Sequence, residues 1–226
     1  MTFSIAGLCP RSGEFGCALA TSSMAAGGRA PFVVPGFGVV LSQARSDPRL
    51  GLLGGRCLAA GRTASETLTQ MLESTPHAAW RQLAVLDLAG RAEEYTGEKC
   101  VPAKGARIDR GVVVVGNGLA NDAVIDAMLA GFQRQPEHPL ADRLMSALRQ
   151  GLDAGGEPYP LRSAALEVAR PGLPFAPIDL RVDCSETPIE DLERVWRLWA
   201  PMVDGYVQRA LDPDRAPSAA AIEGHR

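Results

Sequence analysis

Long apolar runs are missing from this sequence. No uninterrupted stretch reaches the ~20 apolar residues that a bilayer crossing requires. Near the amino end Ser4, Gly7, Pro10 and Arg11 break up anything resembling a signal segment. A membrane is thereby excluded as a partner, and a cytoplasmic location is expected. An excess of basic charge is missing too: Lys and Arg number 23 against 26 Asp and Glu, for a net charge of −3, and no long basic run occurs. Nucleic acid is excluded on that balance. The five cysteines contain no CxxC spacing, which leaves neither a zinc knuckle nor a redox pair, and free, mostly buried thiols are expected. His77, His138 and His225 are scattered, which argues against a histidine metal site and a Ser-His relay. Neither a metal nor a cofactor is expected. GLLGG and GNGLAN lack the glycine order and the lysine of nucleotide-binding loops.

What is present reads as an ordinary soluble globule, 46% hydrophobic and 22% charged over 226 residues. TFSIAGL and FGCALAT, joined by CPRSGE, predict a hairpin, and period-two alternation puts Thr2 and Ser4 on one face with Phe3 and Ile5 on the other. GFGVVLSQ predicts a third strand. LGLLGGRCLAAG and TASETLTQMLES follow at helical spacing, with Thr63 and Glu66 placed as a capping box. RQLAVLDLAGRAEEYTG reads as strand, turn, strand; VVVV then enters a glycine-rich turn and a helix opened by Asp122. HPLADRLMSALRQGLDAGG is a helix ending at glycines, SAALEVAR and PIDLRVD are strands, and PIEDLERVWRLW is a helix with Pro188 in its first turn. Trp196, Trp199 and Met202 recur at a spacing of three, as core or subunit-interface residues do. This order implies an α+β sandwich of mainly antiparallel sheets with helices on the outer faces. One domain is expected over residues 1–211, followed by a small, polar, disordered tail over 212–226.

Thr2 carries the chemical interest. Methionine aminopeptidases remove Met1 ahead of a small side chain, which would leave a hydroxyl and a free α-amine on one residue. An α-amine has an unperturbed pKa of about 7.7–8.0. It can therefore act as general base for its own hydroxyl with neither His nor Asp.

The opening TFSIAGLCPRSGEFGCALATSSMAAGG resembles the start of the N-terminal nucleophile (Ntn) hydrolase fold, as in proteasome β subunits. The chain also resembles an uncharacterised bacterial family of that superfamily. The shared pieces, in order, are MTFSI, Ser42-Gln43-Ala44, Thr96-Gly97 with Cys100, Gly116-Asn117-Gly118-Leu119, Gly155-Gly156-Glu157 with Ser163-Ala164-Ala165-Leu166, and Asp179 to Asp183. The resemblance covers roughly residues 1–185 and implies a four-layer αββα architecture. This chain departs from the family's pattern at Ser42 (usually Thr), at Val115, which precedes GNG where the family has Gln, and at Glu157 (usually Asp). It departs further from the proteasome, whose third strand carries a catalytic lysine; here the lysines are few, with Lys99 and Lys104 in a loop.

The expected site therefore comprises Thr2 as nucleophile, Asn117 as an oxyanion donor with the Gly118 N–H beside it, and Ser163 as a hydroxyl near the terminal amine. Ser23, Gln43 and Arg181 are expected to bind substrate, Arg181 through a substrate carboxylate unless it forms an internal ion pair with Asp179 or Asp183. Each residue has a plain structural alternative: a turn for Asn117, a strand start for Ser163, a backbone contact for Gln43. The function expected is an Ntn-type amidohydrolase that cleaves a C–N bond in a small polar amide, with a small-molecule substrate and a homo-oligomeric assembly. The alternative is a catalytically silent protein on the same scaffold, binding a small metabolite or serving as an assembly subunit.

Overall fold

The computed structural model describes residues 1–224. In chain order the elements are β1 (Thr2–Leu8), β2 (Phe15–Thr21), β3 (Pro31–Val34), β4 (Gly38–Ala44), α1 (Pro48–Ala59), α2 (Ala64–Glu73), β5 (Arg81–Asp87), β6 (Ala92–Thr96), β7 (Gly105–Asp109), β8 (Val112–Asn117), α3 (Ala123–Gln133), α4 (Leu140–Asp153), β9 (Ser163–Ala169), β10 (Ile178–Val182), α5 (Pro188–Trp199), α6 (Val203–Leu211) and α7 (Ala219–Glu223). Six strands form one sheet in the order β10-β9-β2-β1-β8-β7, and four form a second in the order β3-β4-β5-β6. Every pairing in both is antiparallel.

Side-chain alternation assigns the layers. Phe3, Ile5, Val112 and Val114 project from the large sheet into a core shared with Met128 and Phe132 of α3 and Leu144 and Leu148 of α4. The opposite faces of the same strands supply Ala6, Cys17, Val113 and Val115, which meet Val39, Leu41, Ala84 and Leu86 of the small sheet. Val40, Leu83 and Val85 turn outward against Leu50, Leu58, Leu68 and Met71 of α1 and α2. The result is helix, sheet, sheet, helix: an α+β, four-layer αββα sandwich. β2 and β8, which flank β1, are buried on two faces, which explains why they read as near-continuous apolar runs.

Local signals agree with this arrangement. Thr63 and Glu66 form the predicted capping box, each side chain accepting the other's backbone N–H. Asp47 caps α1 by accepting from the Arg49 N–H at 3.1 Å, with Pro48 in the first turn. Trp196 donates its indole N–H to Asp142 at 2.7 Å and Trp199 to the Pro177 carbonyl at 3.2 Å, tying α5 to the body. Two strands escape the sequence reading, β3 and β7. Both lie at sheet edges, and β7 is mostly exposed, so neither carries the buried alternation that marks its neighbours. In the carboxy-terminal region, Ile222 of α7 lies against Gly205 of α6; residues 225–226, including His225, fall outside the described residues. Among the described residues no helix is long and apolar enough to cross a membrane.

Gly16 shows how closely the large sheet is drawn together. A Cβ there would meet the Glu167 carbonyl oxygen at 2.2 Å and the Val168 Cα at 2.8 Å, backbone atoms that cannot rotate away. Gly16→Ala should therefore spread β2 from β9 and cost about 1–3 kcal/mol on denaturant unfolding. A neutral result would mean the two strands are further apart than described.

Candidate active site

At one end of the sandwich the interior changes from aliphatic to polar. Thr2 lies opposite Asn117 across the β1–β8 pair, and Thr21 opposite Ser163 across β2–β9. The Thr21 hydroxyl reaches across to donate to the Met1 carbonyl at 2.7 Å. Asn117, Thr2, Thr21 and Ser163 thus form one row over four adjacent strands. Their side chains share the face of Ala6, Val115 and Cys17, the face that meets the small sheet. Opposite them the small sheet presents Gln43, Gln82 and Thr96, likewise in one register row.

Gln82 joins the two rows. Its Oε1 accepts from Gln43 Nε2 at 2.8 Å and from Asn117 Nδ2 at 3.0 Å. Its own amide donates to the Gly116 carbonyl at 2.8 Å and to Thr96 Oγ1 at 2.9 Å. Ser4 closes the network by donating to Gln43 Oε1. Ser4, Gln43, Gln82 and Asn117 are all at most 1% exposed, so these bonds form away from water, where leaving one unmade is costly. Gln82 and Ser4 were not singled out in the sequence; Gln82 follows Arg81 at the start of an apolar strand and looks like an ordinary boundary residue.

Around the strand end sit further polar groups. Met1 is partly buried, and its carbonyl accepts hydrogen bonds from the hydroxyls of both Thr2 and Thr21. Its side chain rests on Gly118, where a Cβ would fall 2.0 Å from Met1 Cγ. Gly118 also has φ of +63°, a left-handed geometry that suits glycine. Glu157 accepts from the Ser22 N–H at 3.0 Å, while its Oε1 has no partner. Asn117 Oδ1 is likewise buried and without a donor. Burial pushes the Glu157 carboxyl up, an effect opposed by the Ser22 and Thr21 donors and by the nearby chain amine. Cys100 donates to the Arg81 carbonyl at 3.3 Å, and burial pushes its thiol up while Lys104 and the chain amine pull it down.

The expected site residues are only partly brought together. Thr2 and Asn117 are direct neighbours, and Gln43 belongs to the same polar layer, where its amide is spent on Gln82 and Ser4 rather than left free for a ligand. The Gly118 N–H donates to the Val101 carbonyl at 3.0 Å, so it does not serve as the expected oxyanion donor. Ser163 stands two strands from Thr2, about 10 Å at ordinary strand spacing. Its hydroxyl donates to the Ser23 carbonyl at 2.7 Å and accepts from the Ala26 N–H at 3.2 Å, holding the loop after β2. Ser23 enters that loop through its backbone, and its residue is exposed. Arg181 lies on β10, three strands from β1, in a bidentate pair with Asp179 at 2.8 and 2.9 Å. The internal ion pair is the arrangement observed.

Arg181 lines a separate cleft of about 490 Å³ between β3, α1 and the β9–β10 edge, walled by Phe32, Val34, Leu52 and Glu167. Burial, reinforced by Asp179 and relieved by Arg181 and the Val33 N–H, pushes the Glu167 carboxyl up to about 7. Thr2 itself is 7% exposed, and Met1 lies over it. Among the described residues no group of three or more His, Cys, Asp or Glu side chains is placed to hold a metal.

The family described as a family of unknown function, DUF1028, matches residues 2–192, and the chain belongs to it. The crystal structure of a DUF1028 protein from Silicibacter pomeroyi is similar at a TM-score of 0.80 and 30% identity, over 88% of this chain and 89% of that one. Anbu, an ancestral β-subunit from Yersinia bercovieri, aligns over 91% of this chain and 97% of its own at a TM-score of 0.41 and 13% identity. No curated protein matches.

Two consequences can be measured. Gln82→Leu keeps the volume but strands Gln43, Asn117 and the Gly116 carbonyl, each at a cost of about 1–3 kcal/mol. Urea unfolding should show a loss of at least that size with an unchanged slope, and a loss under about 0.5 kcal/mol would contradict the network. For Glu167 the native carboxyl, at about 7, titrates above its ordinary value of 4.5, so the folded state holds more protons between those values. Its effect on stability is therefore absent below about pH 4.5 and increasingly unfavourable as pH rises through about 7. Glu167→Gln should raise the melting temperature at pH 8 and leave it unchanged at pH 4; equal shifts at both would refute the assignment.

Proposed function

We propose that this DUF1028 protein is an amidohydrolase of the N-terminal nucleophile type, with Thr2 as nucleophile once Met1 is removed. The observation that carries the reading is the pair of buried acceptors without donors, Asn117 Oδ1 and Glu157 Oε1, at the strand end where the chain begins. A free α-amine on Thr2 brings up to three donors to that place, which the peptide nitrogen of an intact Met1–Thr2 bond cannot. Removal of Met1 also clears the surface of Gly118 and frees both threonine hydroxyls from the Met1 carbonyl.

In this mechanism the Thr2 hydroxyl loses its proton to its own amine as Oγ bonds the substrate carbonyl carbon. The C–N bond then breaks, the amine passes the proton to the departing nitrogen, and a water molecule hydrolyses the resulting ester by the same route. Asn117 Nδ2 gives one hydrogen to Gln82 and keeps a second to offer the oxyanion; one such donor is worth about 3–4 kcal/mol in the transition state. A second reading, a silent member of the fold that binds a metabolite, is favoured by the cleft at Glu167 and Arg181, which stands open away from Thr2.

Intact mass and turnover decide between them. The purified protein should lack the mass of one methionine, and Thr2→Ala should reduce kcat/KM on a responsive amide by about 10³-fold or more, with Thr2→Ser retaining part of it. Retained Met1 in an active preparation, or equal turnover by the alanine variant, removes Thr2 from the mechanism.

A further inference from the structure

Glu157 is a carboxylate placed where a purely structural one would be poorly served. It follows two left-handed glycines, Gly155 at φ +120° and Gly156 at φ +55°, which turn the chain from the end of α4 back toward β1 and β2. The side chain is 8% exposed. One oxygen accepts the Ser22 N–H at 3.0 Å and the other is buried without a hydrogen bond of its own. The groups that face it are the hydroxyls of Thr21 and Ser22 at the end of β2 and the α-amine of Met1, one residue ahead of β1; the Met1 carbonyl, directly bonded to the Thr2 nitrogen, is held by the same Thr21 hydroxyl at 2.7 Å. Cys100, from the turn after β6, faces the same amine. An unsatisfied carboxylate oxygen in such a place costs several kcal/mol unless a cationic or neutral donor arrives.

We propose that Glu157 is the positioning residue for the Thr2 amine: it orients the ammonium and takes one proton from it, leaving the neutral amine that acts as base. This inference rests on the reading of Thr2 as an unblocked terminus. The transfer is internally balanced. One N–H bond of the ammonium breaks, one O–H bond forms on Glu157, and an ion pair becomes a neutral pair with no other reactant. Burial disfavours two separated charges more than two neutral partners, so the site itself draws the proton toward the carboxylate. The amine's lone pair then takes the Thr2 hydroxyl proton when Oγ attacks.

The test follows the titration of the Thr2 amine through its Cα chemical shift by NMR, on protein freed of Met1 by the cell or by an aminopeptidase in vitro. In the parent, the Thr2 signal should show two coupled steps, one from each partner. Glu157→Gln should leave a single step near the lower of the parent's two, because the neutral amide, like the protonated carboxyl, carries no charge and cannot take the proton. Glu157→Asp should restore two steps. If Glu157→Gln fails to fold, the parent alone decides: a single step there overturns the proposal, as does the persistence of two steps in the glutamine variant. The readout is independent of turnover. Coupled steps without any amide hydrolysis would sink the hydrolase reading and uphold this placement of the proton, whereas hydrolysis with an uncoupled amine would do the reverse.

Discussion

One carboxamide, that of Gln82, governs how the two sheets of this protein meet. Over most of their contact the sheets are joined by Ala6, Cys17, Val39, Leu41, Ala84, Val113 and Val115, whose packing is non-directional and tolerates small slides. At the end where the chain begins, Gln82 of the small sheet bonds Asn117 and the Gly116 carbonyl of the large one, and Gln43 passes the contact on to Ser4. Directional bonds among groups almost wholly removed from water fix both distance and register there. The two faces at that end therefore hold one geometry. Thr2 and Asn117 inherit it because they occupy the next positions of the strands so held.

The same rigidity explains which side chains are free to do anything else. Gln43 is engaged with Gln82 and Ser4, Gln82 with Gln43, Asn117, Thr96 and the Gly116 carbonyl, and Ser163 has spent its hydroxyl on the loop after β2. Near the chain start two oxygens remain uncommitted, one of Asn117 and one of Glu157. Both are acceptors. In a buried layer where nearly every other group is paired, two donor-seeking oxygens around one strand end amount to a place shaped for a small cation with several N–H bonds.

Much of this was legible in the sequence and some was not, for physical reasons that differ by residue. The central strands announce themselves because burial on both faces leaves only apolar choices, and the capping box at Thr63 and Glu66 announces α2 because a helix start needs its N–H groups satisfied. The edge strands β3 and β7 give no such signal, since half-exposed residues face few constraints. Asn117 beside Thr2 could be expected from motif order, and their direct pairing confirms the adjacency. Gln82 could not, because a polar residue at a strand boundary is unremarkable until a second sheet is laid over it. Glu157 was visible only as an acid where aspartate is usual; its significance depends on two glycine turns folding it back some 135 residues, onto Ser22. Arg181 misleads for the opposite reason, since its alternation with Asp179 along one strand is enough to explain both charges.

The two polar features of the sandwich are set apart by the order of strands. β1 stands fourth in the large sheet and β10 first, so the row holding Thr2 and the cleft holding Arg181 and Glu167 are separated by β2 and β9. Leu19 and Ala165, on the intervening strands, pack with Ala26 and Ala30 between them. Distance across these strands leaves each carboxylate with its own set of neighbours. Each carboxylate is consequently tuned by its own neighbours: Glu167 by burial and an adjacent aspartate, Glu157 by burial against two hydroxyls and an amine. Separation lets the fold raise one acid at its rim without altering the proton balance at the strand end.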